Sequence, residues 1–315
     1  MGNGEGMSCD SLALPRLGLG CAALTAPGAD GERNARAVIQ HAWVRGIRFF
    51  DTAPLYGGGV SEERLGAALD GLPRTDYVLT TKTGVTRPYA QGATPPNSTR
   101  FRAADVWDFS REATHASVQR SFDRLRTNYL DLVHLHDVDQ HLDACTEACE
   151  VLAELRAQGR IRGISVGSND IHAPSLLMAR GVIDAMLVAG RYTLLDASAE
   201  GLFERAVTVG VRVIAAGVLN SGILAQGITP KATFDYLPPS PALAERVGRL
   251  QDWCASHGVS LMAAALQVVA RNPHVGSVLL GPRSVTELDE LMNAYEQPVP
   301  DAFWLEYPQM TTSIQ

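Results

Sequence analysis

Short apolar runs alternate along the chain with amphipathic stretches of helical period. "RLGLGCAAL" (16–24) reads as a strand and 32–45 as a helix stopped by Gly46. "IRFFDTA" (47–53) precedes a helix starting at Ser61, where Ser-Glu-Glu-Arg reads as an N-cap with acidic residues in the first turn. "YVLTTKTG" (77–84) is the third strand, and a Pro-, Gly- and Thr-rich loop fills 85–108. A helix over 111–127 carries Val118, Phe122 and Leu125 on one stripe. "YLDLVHLHD" (129–137), a helix over 143–158, "IRGISVGSN" (161–169), a short helix over 171–180, "DAMLVAG" (184–190) and a helix over 198–209 continue the pattern. "VRVIAAGVLNSG" (211–222), helices over 241–256 and 259–271, "VGSVLLGP" (275–282) and a helix from Ser284 complete it. Eight buried strands separated by helices predict a parallel sheet, and about 300 residues suit a closed (β/α)8 barrel. An open doubly wound sheet is the alternative, but Gly18 and Gly20 lack the third glycine and the helix start of its phosphate fingerprint. With no break in composition, 1–315 reads as one barrel domain, 85–108 and 223–240 as insertions at one end, and 1–14 and 305–315 as flexible ends.

Charge and cysteine usage narrow the function classes. A net charge of −7 with scattered Lys and Arg argues against nucleic-acid binding. No apolar run reaches membrane-spanning length and "MGNGEGMSCD" has no signal core, so a cytoplasmic protein without membrane partners is expected. Gly6 stands where a myristoylation motif has Ser or Thr. Five cysteines without framework spacing fit a reducing compartment, and Cys145 and Cys149, four apart on a helix, read as ordinary thiols.

Barrel active sites collect at the C-terminal ends of the strands, so polar residues there stand out. Asp51, Lys82 and His136 end three successive strands and, by alternation, share faces with Phe49, Thr80 and His134. Tyr56 follows Asp51 by five residues, before Gly57, Gly58 and Gly59, which allow a tight turn. A phenol has an ordinary pKa of about 10, and a neighbouring lysine ammonium favours its phenolate. A carboxylate keeps that lysine charged, and a neutral histidine orients a substrate oxygen. Such a set moves a proton but no hydride, which implies a nicotinamide or flavin.

"FFDTAPLYGGGVSEERLG", "TTKTG" and "YLDLVHLHD", with "LGLG" and "GPRSVTELDEL" at the two ends of the chain, resemble the aldo-keto reductase family. The resemblance implies a catalytic tetrad of Asp51, Tyr56, Lys82 and His136, with His134 an extra histidine. It places Ser168 and Asn169 on the nicotinamide carboxamide, although "VGSN" is one residue longer than the family's common spacing. Leu219, Ser221 and Gly222 fall at the pyrophosphate, and Gly281, Arg283, Ser284 and Glu290 at the adenosine end. Ala189 and Ala216 stand where many members carry a glutamine and a stacking aromatic. Arg283 suits a 2′-phosphate, but Glu287 and Asp289 thin the basic pocket, so of NAD and NADP the former is expected. "LVAGRYTLLD", "NSGIL" and "HLHDVD" resemble the aldose 1-dehydrogenase branch, with pyridoxal 4-dehydrogenase nearby. This implies oxidation of the anomeric hydroxyl of an aldose, of L-fucose, L-galactose or D-threo-aldose type, to a lactone, with a small-molecule sugar or aldehyde as partner.

Two other readings compete. His134 and His136 with Asp137, Asp139 and His141 resemble the His-x-His metal site of barrel hydrolases, without a further ligand set on the other strands. A non-catalytic binding subunit could keep the same fold. Trp43 and Trp253 read as packing residues, Trp107 and Trp304 as candidate pocket walls, and Asp137 and Arg191 as candidates for sugar hydroxyls.

Overall fold

The computed structural model describes residues 12–86, 105–235 and 237–313. Residues 1–11 of the expected N-terminal end and 87–104 of the expected 85–108 loop lie outside the described residues. The barrel strands are β1 (Leu17–Gly20), β2 (Phe49–Asp51), β3 (Val78–Thr83), β6 (Leu130–His136), β7 (Ile161–Ser168), β8 (Ala185–Ala189), β9 (Arg212–Ala216) and β10 (Ser277–Leu280). They pair in parallel in that order and close through β10 and β1. All eight strands fall inside the runs read from the sequence. A small antiparallel hairpin, β4 (Val85–Thr86) and β5 (Val106–Trp107), opens and closes the loop after β3.

Helices α1 (Gly28–Val44), α2 (Val60–Leu69), α3 (Arg111–Leu125), α4 (Cys145–Ala157), α5 (His172–Ala179) and α6 (Glu200–Thr208) follow their strands. After β9 the chain makes a short α7 (Ile223–Gln226), then α8 (Pro241–Ser256) and α9 (Leu261–Arg271). Following β10 come α10 (Val285–Glu296) and α11 (Asp301–Ser313), so the stretch expected as a flexible C-terminal end is helical through residue 313. Phe303 anchors α11 by burying its ring 4.3 Å from that of Trp253. No single helix among the described residues is long and apolar enough to cross a membrane.

Strand alternation divides the core in two. Phe50, Leu79, Val133 and Ile164 point outward into the large layer between strands and helices. Phe49, Val78, Leu132, Ala185, Ile214 and Leu279 fill the barrel interior, with Leu12 packed among them. Gly18 is required in that interior: a Cβ there would lie 2.6 Å from Leu279 and 2.7 Å from the Phe49 ring. Toward the C-terminal strand ends the lining turns polar, with Asp51, Lys82, His134 and Ser165 all buried.

Several buried charges fix individual strands. Asp131 of β6 accepts from Arg74 (2.7 Å), from Arg162 (3.0 Å) and from the Leu79 backbone N–H (2.8 Å). Glu62 of α2 is fully buried and accepts from the Thr81 hydroxyl at 2.7 Å and from Arg124 at 3.0 Å. Ser61 does not cap α2. The cap position is Gly59, and Ser61 lies inside the first turn, accepting from Thr52 (2.8 Å) and donating to the Cys21 carbonyl (2.9 Å).

Candidate active site

The end of β2 sets the geometry. Gly57, Gly58 and Gly59 take φ of 62°, 64° and 101°, left-handed values that a β-carbon disfavours. This path brings the Tyr56 ring back over the strand ends. The Lys82 Nζ lies 5.2 Å from the Tyr56 ring centre, and the His136 ring lies 6.0 Å away, edge-on at 88°. Lys82 donates to Asp51 at 2.6 Å and to the Thr52 carbonyl at 2.9 Å. The four residues picked out at three strand ends and the following turn therefore meet in one place.

Burial by itself would raise the Asp51 pKa, but Lys82 and then His134 outweigh it and hold the carboxyl well below the usual range. Burial, reinforced by the Lys82 charge, pushes His136 well below its ordinary pKa, so its imidazole is neutral. Burial first, then the neighbouring Asp139 carboxylate, pushes Asp137 up to about 7. Its carboxylate lies 3.4 Å from His136 Nε2.

A groove of about 870 Å³ runs from this cluster across the barrel mouth. Its lining includes Asp51, Tyr56, Lys82, His136, Ser168, Asn169, Leu219, Ser221, Gly222, Gly281, Arg283 and Glu290. A Cβ on Gly222 or Gly281 would meet nothing within 4 Å, so the backbone there is open to a ligand. The long groove, its open glycine backbone and Arg283 at the far end fit an elongated phosphate-bearing cofactor such as NAD(P). Ser284, expected beside the adenosine, is absent from the lining. Its hydroxyl caps α10 by accepting the Glu287 N–H at 3.2 Å. The Ser168 hydroxyl is engaged, donating to Asp139 at 2.7 Å and accepting the Asp170 N–H at 2.8 Å.

Arg283 pairs with Glu287 at 2.7 Å, whereas Asp289, expected to thin this pocket, turns away to His41 and Arg45. Arg191 is held by the Asn169 carbonyl (2.6 Å), Asp196 (3.1 Å) and Asp235 (3.3 Å). Trp304 does not line the groove, since it lies over the Arg271 guanidinium at 4.4 Å. Trp107 lies outside the groove lining too, stacked on His141 at 5.8 Å and packed beside Leu55 and Tyr56.

Sequence reasoning gave three residues, Thr80, His134 and Ser165, no part at Asp51. Thr80 donates to it at 2.8 Å, His134 Nε2 lies 3.3 Å from its Oδ1, and Ser165 meets His134 Nδ1 at 2.8 Å. The i, i+2 alternation from Lys82 and His136 pointed to Thr80 and His134, and no pattern marked Ser165. Among the described residues no group of three or more His, Cys, Asp or Glu side chains could hold a metal ion.

The Aldo/keto reductase family profile matches residues 16–308. D-threo-aldose 1-dehydrogenase of Pseudomonas sp is 35% identical over 94% of this chain and 93% of its own length. Pyridoxal 4-dehydrogenase of Microbacterium luteolum is 35% identical over 93% of each chain. The holo structure of an aldo-keto reductase from Bacillus halodurans superposes with a TM-score of 0.76 at 27% identity, covering 98% of this chain and 94% of that one.

Proposed function

Because the chain belongs to the aldo/keto reductase family, an NAD(P)-dependent oxidoreductase family, we propose that it oxidises the anomeric hydroxyl of an aldose to a lactone, using NAD. The observation that carries this reading is the buried Asp51–Lys82 pair beneath Tyr56, with neutral His136 beside it. The Lys82 ammonium favours the Tyr56 phenolate, which takes the proton of the anomeric hydroxyl as the carbonyl forms. Asp51 holds Lys82 in place through the 2.6 Å contact. Neutral His136 donates to the substrate oxygen and orients it. A nicotinamide, when bound, supplies the two-electron acceptor for the hydride on C1. Ser168, Asn169, Leu219, Ser221 and Gly222 would hold its reactive half and pyrophosphate, and Gly281, Arg283 and Glu290 its adenosine end.

The Arg283–Glu287 pair supports NAD over NADP. Glu287 takes the Arg283 guanidinium at 2.7 Å and its backbone N–H at 2.7 Å, and Glu290 lines the same groove. A 2′-phosphate would have to displace one carboxylate beside a second. Pyridoxal is the second reading, favoured by the equally similar pyridoxal 4-dehydrogenase.

The test is a panel of L-fucose, L-galactose, D-arabinose, pyridoxal and simple aldehydes with NAD and NADP separately, read at the reduced-nicotinamide absorbance. An aldose with NAD should give the highest kcat/KM, and Tyr56→Phe should abolish turnover while still binding cofactor. Turnover close to wild type in Tyr56→Phe would refute the assignment of the proton acceptor.

A further inference from the structure

His134 is fully buried one layer below the reacting groups, and the mechanism above gives it no part. Its ring bridges two strands. Nδ1 meets the Ser165 hydroxyl of β7 at 2.8 Å, and Nε2 lies 3.3 Å from Asp51 Oδ1 of β2, a close charge contact rather than an aligned hydrogen bond, and among the described residues that nitrogen has no hydrogen-bond partner. Burial pulls the His134 pKa down, so the ring is neutral and carries one proton. A carboxylate can only accept and a hydroxyl can do either, which places the proton on Nε2 and leaves Nδ1 to accept from Ser165. Asp51 thus accepts from Thr80 on Oδ1 and from Lys82 on Oδ2, with His134 Nε2 facing Oδ1 at 3.3 Å.

We infer that His134 is a positioning residue for the proton transfer: its neutral N–H fixes the Asp51 carboxylate on Lys82 and tempers the negative field that Asp51 exerts at Tyr56. This inference rests on the reading of Tyr56 as proton acceptor. Without the His134 donor, Asp51 acts on Tyr56 with its full charge and Lys82 is held less firmly. Both changes disfavour the phenolate. The other titratable groups packed around Asp51 are Lys82 on β3, His136 on β6 and Cys21 after β1, and His136, lowered chiefly by burial, is itself lowered in part by His134. The Cys21 thiol is driven upward by burial and stays neutral.

The experiment is the pH profile of kcat/KM for oxidation of the best aldose by His134→Leu, His134→Gln, Ser165→Ala and Tyr56→Phe, each checked for folding by its Tm. The ascending limb of His134→Leu should move to higher pH by about half to one unit, the worth of one buried hydrogen bond. Gln places an amide N–H where Nε2 stood, so His134→Gln should restore most of the wild-type limb. Ser165→Ala should move it the same way by less, because it removes only the partner that fixes the tautomer. A folded His134→Leu with an unmoved limb would overturn the inference, as would a defect that Gln fails to restore. If His134→Leu does not fold, an unmoved limb in Ser165→Ala overturns it. Turnover retained in Tyr56→Phe would instead sink the underlying site reading, which separates the two failures.

Discussion

Replacing Asp137 by Asn should stabilise the protein at alkaline pH while changing little in acid. The Asp137 carboxyl is 13% exposed, and burial followed by repulsion from Asp139 pushes it up from 3.8 to about 7. A raised carboxylate pKa means that the folded state prefers the protonated form. The group costs nothing below its ordinary pKa, and its stability contribution is lost as pH rises toward 7. A rise from 3.8 to about 7 corresponds to roughly 4 kcal/mol of destabilisation once the group is fully ionised, an upper bound because some solvent reaches it. Between about pH 5 and about pH 8.5 the folded state loses about 2–3 kcal/mol of that total. Asn has the same shape and does not titrate. Urea unfolding of wild type and Asp137→Asn at those two pH values should therefore show the variant gaining about 2–3 kcal/mol relative to wild type on going to the higher pH. A change below about 1 kcal/mol would refute the claim that this carboxyl resists ionisation.

Asp131→Ala should cost about 2–4 kcal/mol in urea unfolding, since it removes the buried carboxylate that Arg74 and Arg162 share and leaves the Leu79 N–H without its acceptor, with activity per folded molecule retained. Gly59→Ala should cost about 1–3 kcal/mol by the same assay, because φ is 101° and the added methyl would fall on the Arg124 guanidinium that pairs with Glu62. Glu287→Ser frees Arg283 and should raise the NADP-to-NAD ratio of kcat/KM by roughly tenfold, the worth of one charge-assisted contact.

The eight strands were legible because a parallel strand buried on both faces is a short apolar run, and glycines marked many of its ends. Asp51, Lys82 and His136 were legible because each interrupts such a run on the inward face. Their supports were not. Thr80, His134 and Ser165 sit within the runs, where a polar residue looks like ordinary strand composition until its cross-strand partner is known. Ser61 looked like a cap, but the left-handed path of Gly57–Gly59 starts the helix earlier and leaves its hydroxyl to bridge β1 and β2. Ser284 was credited to the groove although capping its own helix occupies it. Glu287 and Asp289 looked equivalent in the sequence, yet two positions on a helix differ by about 200°, and only the first faces the groove. Helix α11 was hidden because Pro308 sits inside it and its apolar residues keep no clear period.

The three buried carboxylates beside β3 have a consequence for how the chain avoids misassembly. Thr81 points outward to Glu62, Lys82 points inward to Asp51, and the Leu79 N–H lies on Asp131. A slip of β3 by one residue would turn the lysine toward the helices and the threonine into the barrel. It would also take from Glu62 and Asp131 their β3 donors and leave Asp51 buried without its lysine, the last alone at a cost of several kcal/mol. Slipped pairings that satisfy the apolar pattern almost as well are thus emptied of population. The charges read as a ruler laid along the strand, one that delivers Lys82 to Tyr56 and leaves out-of-step barrels too unstable to persist.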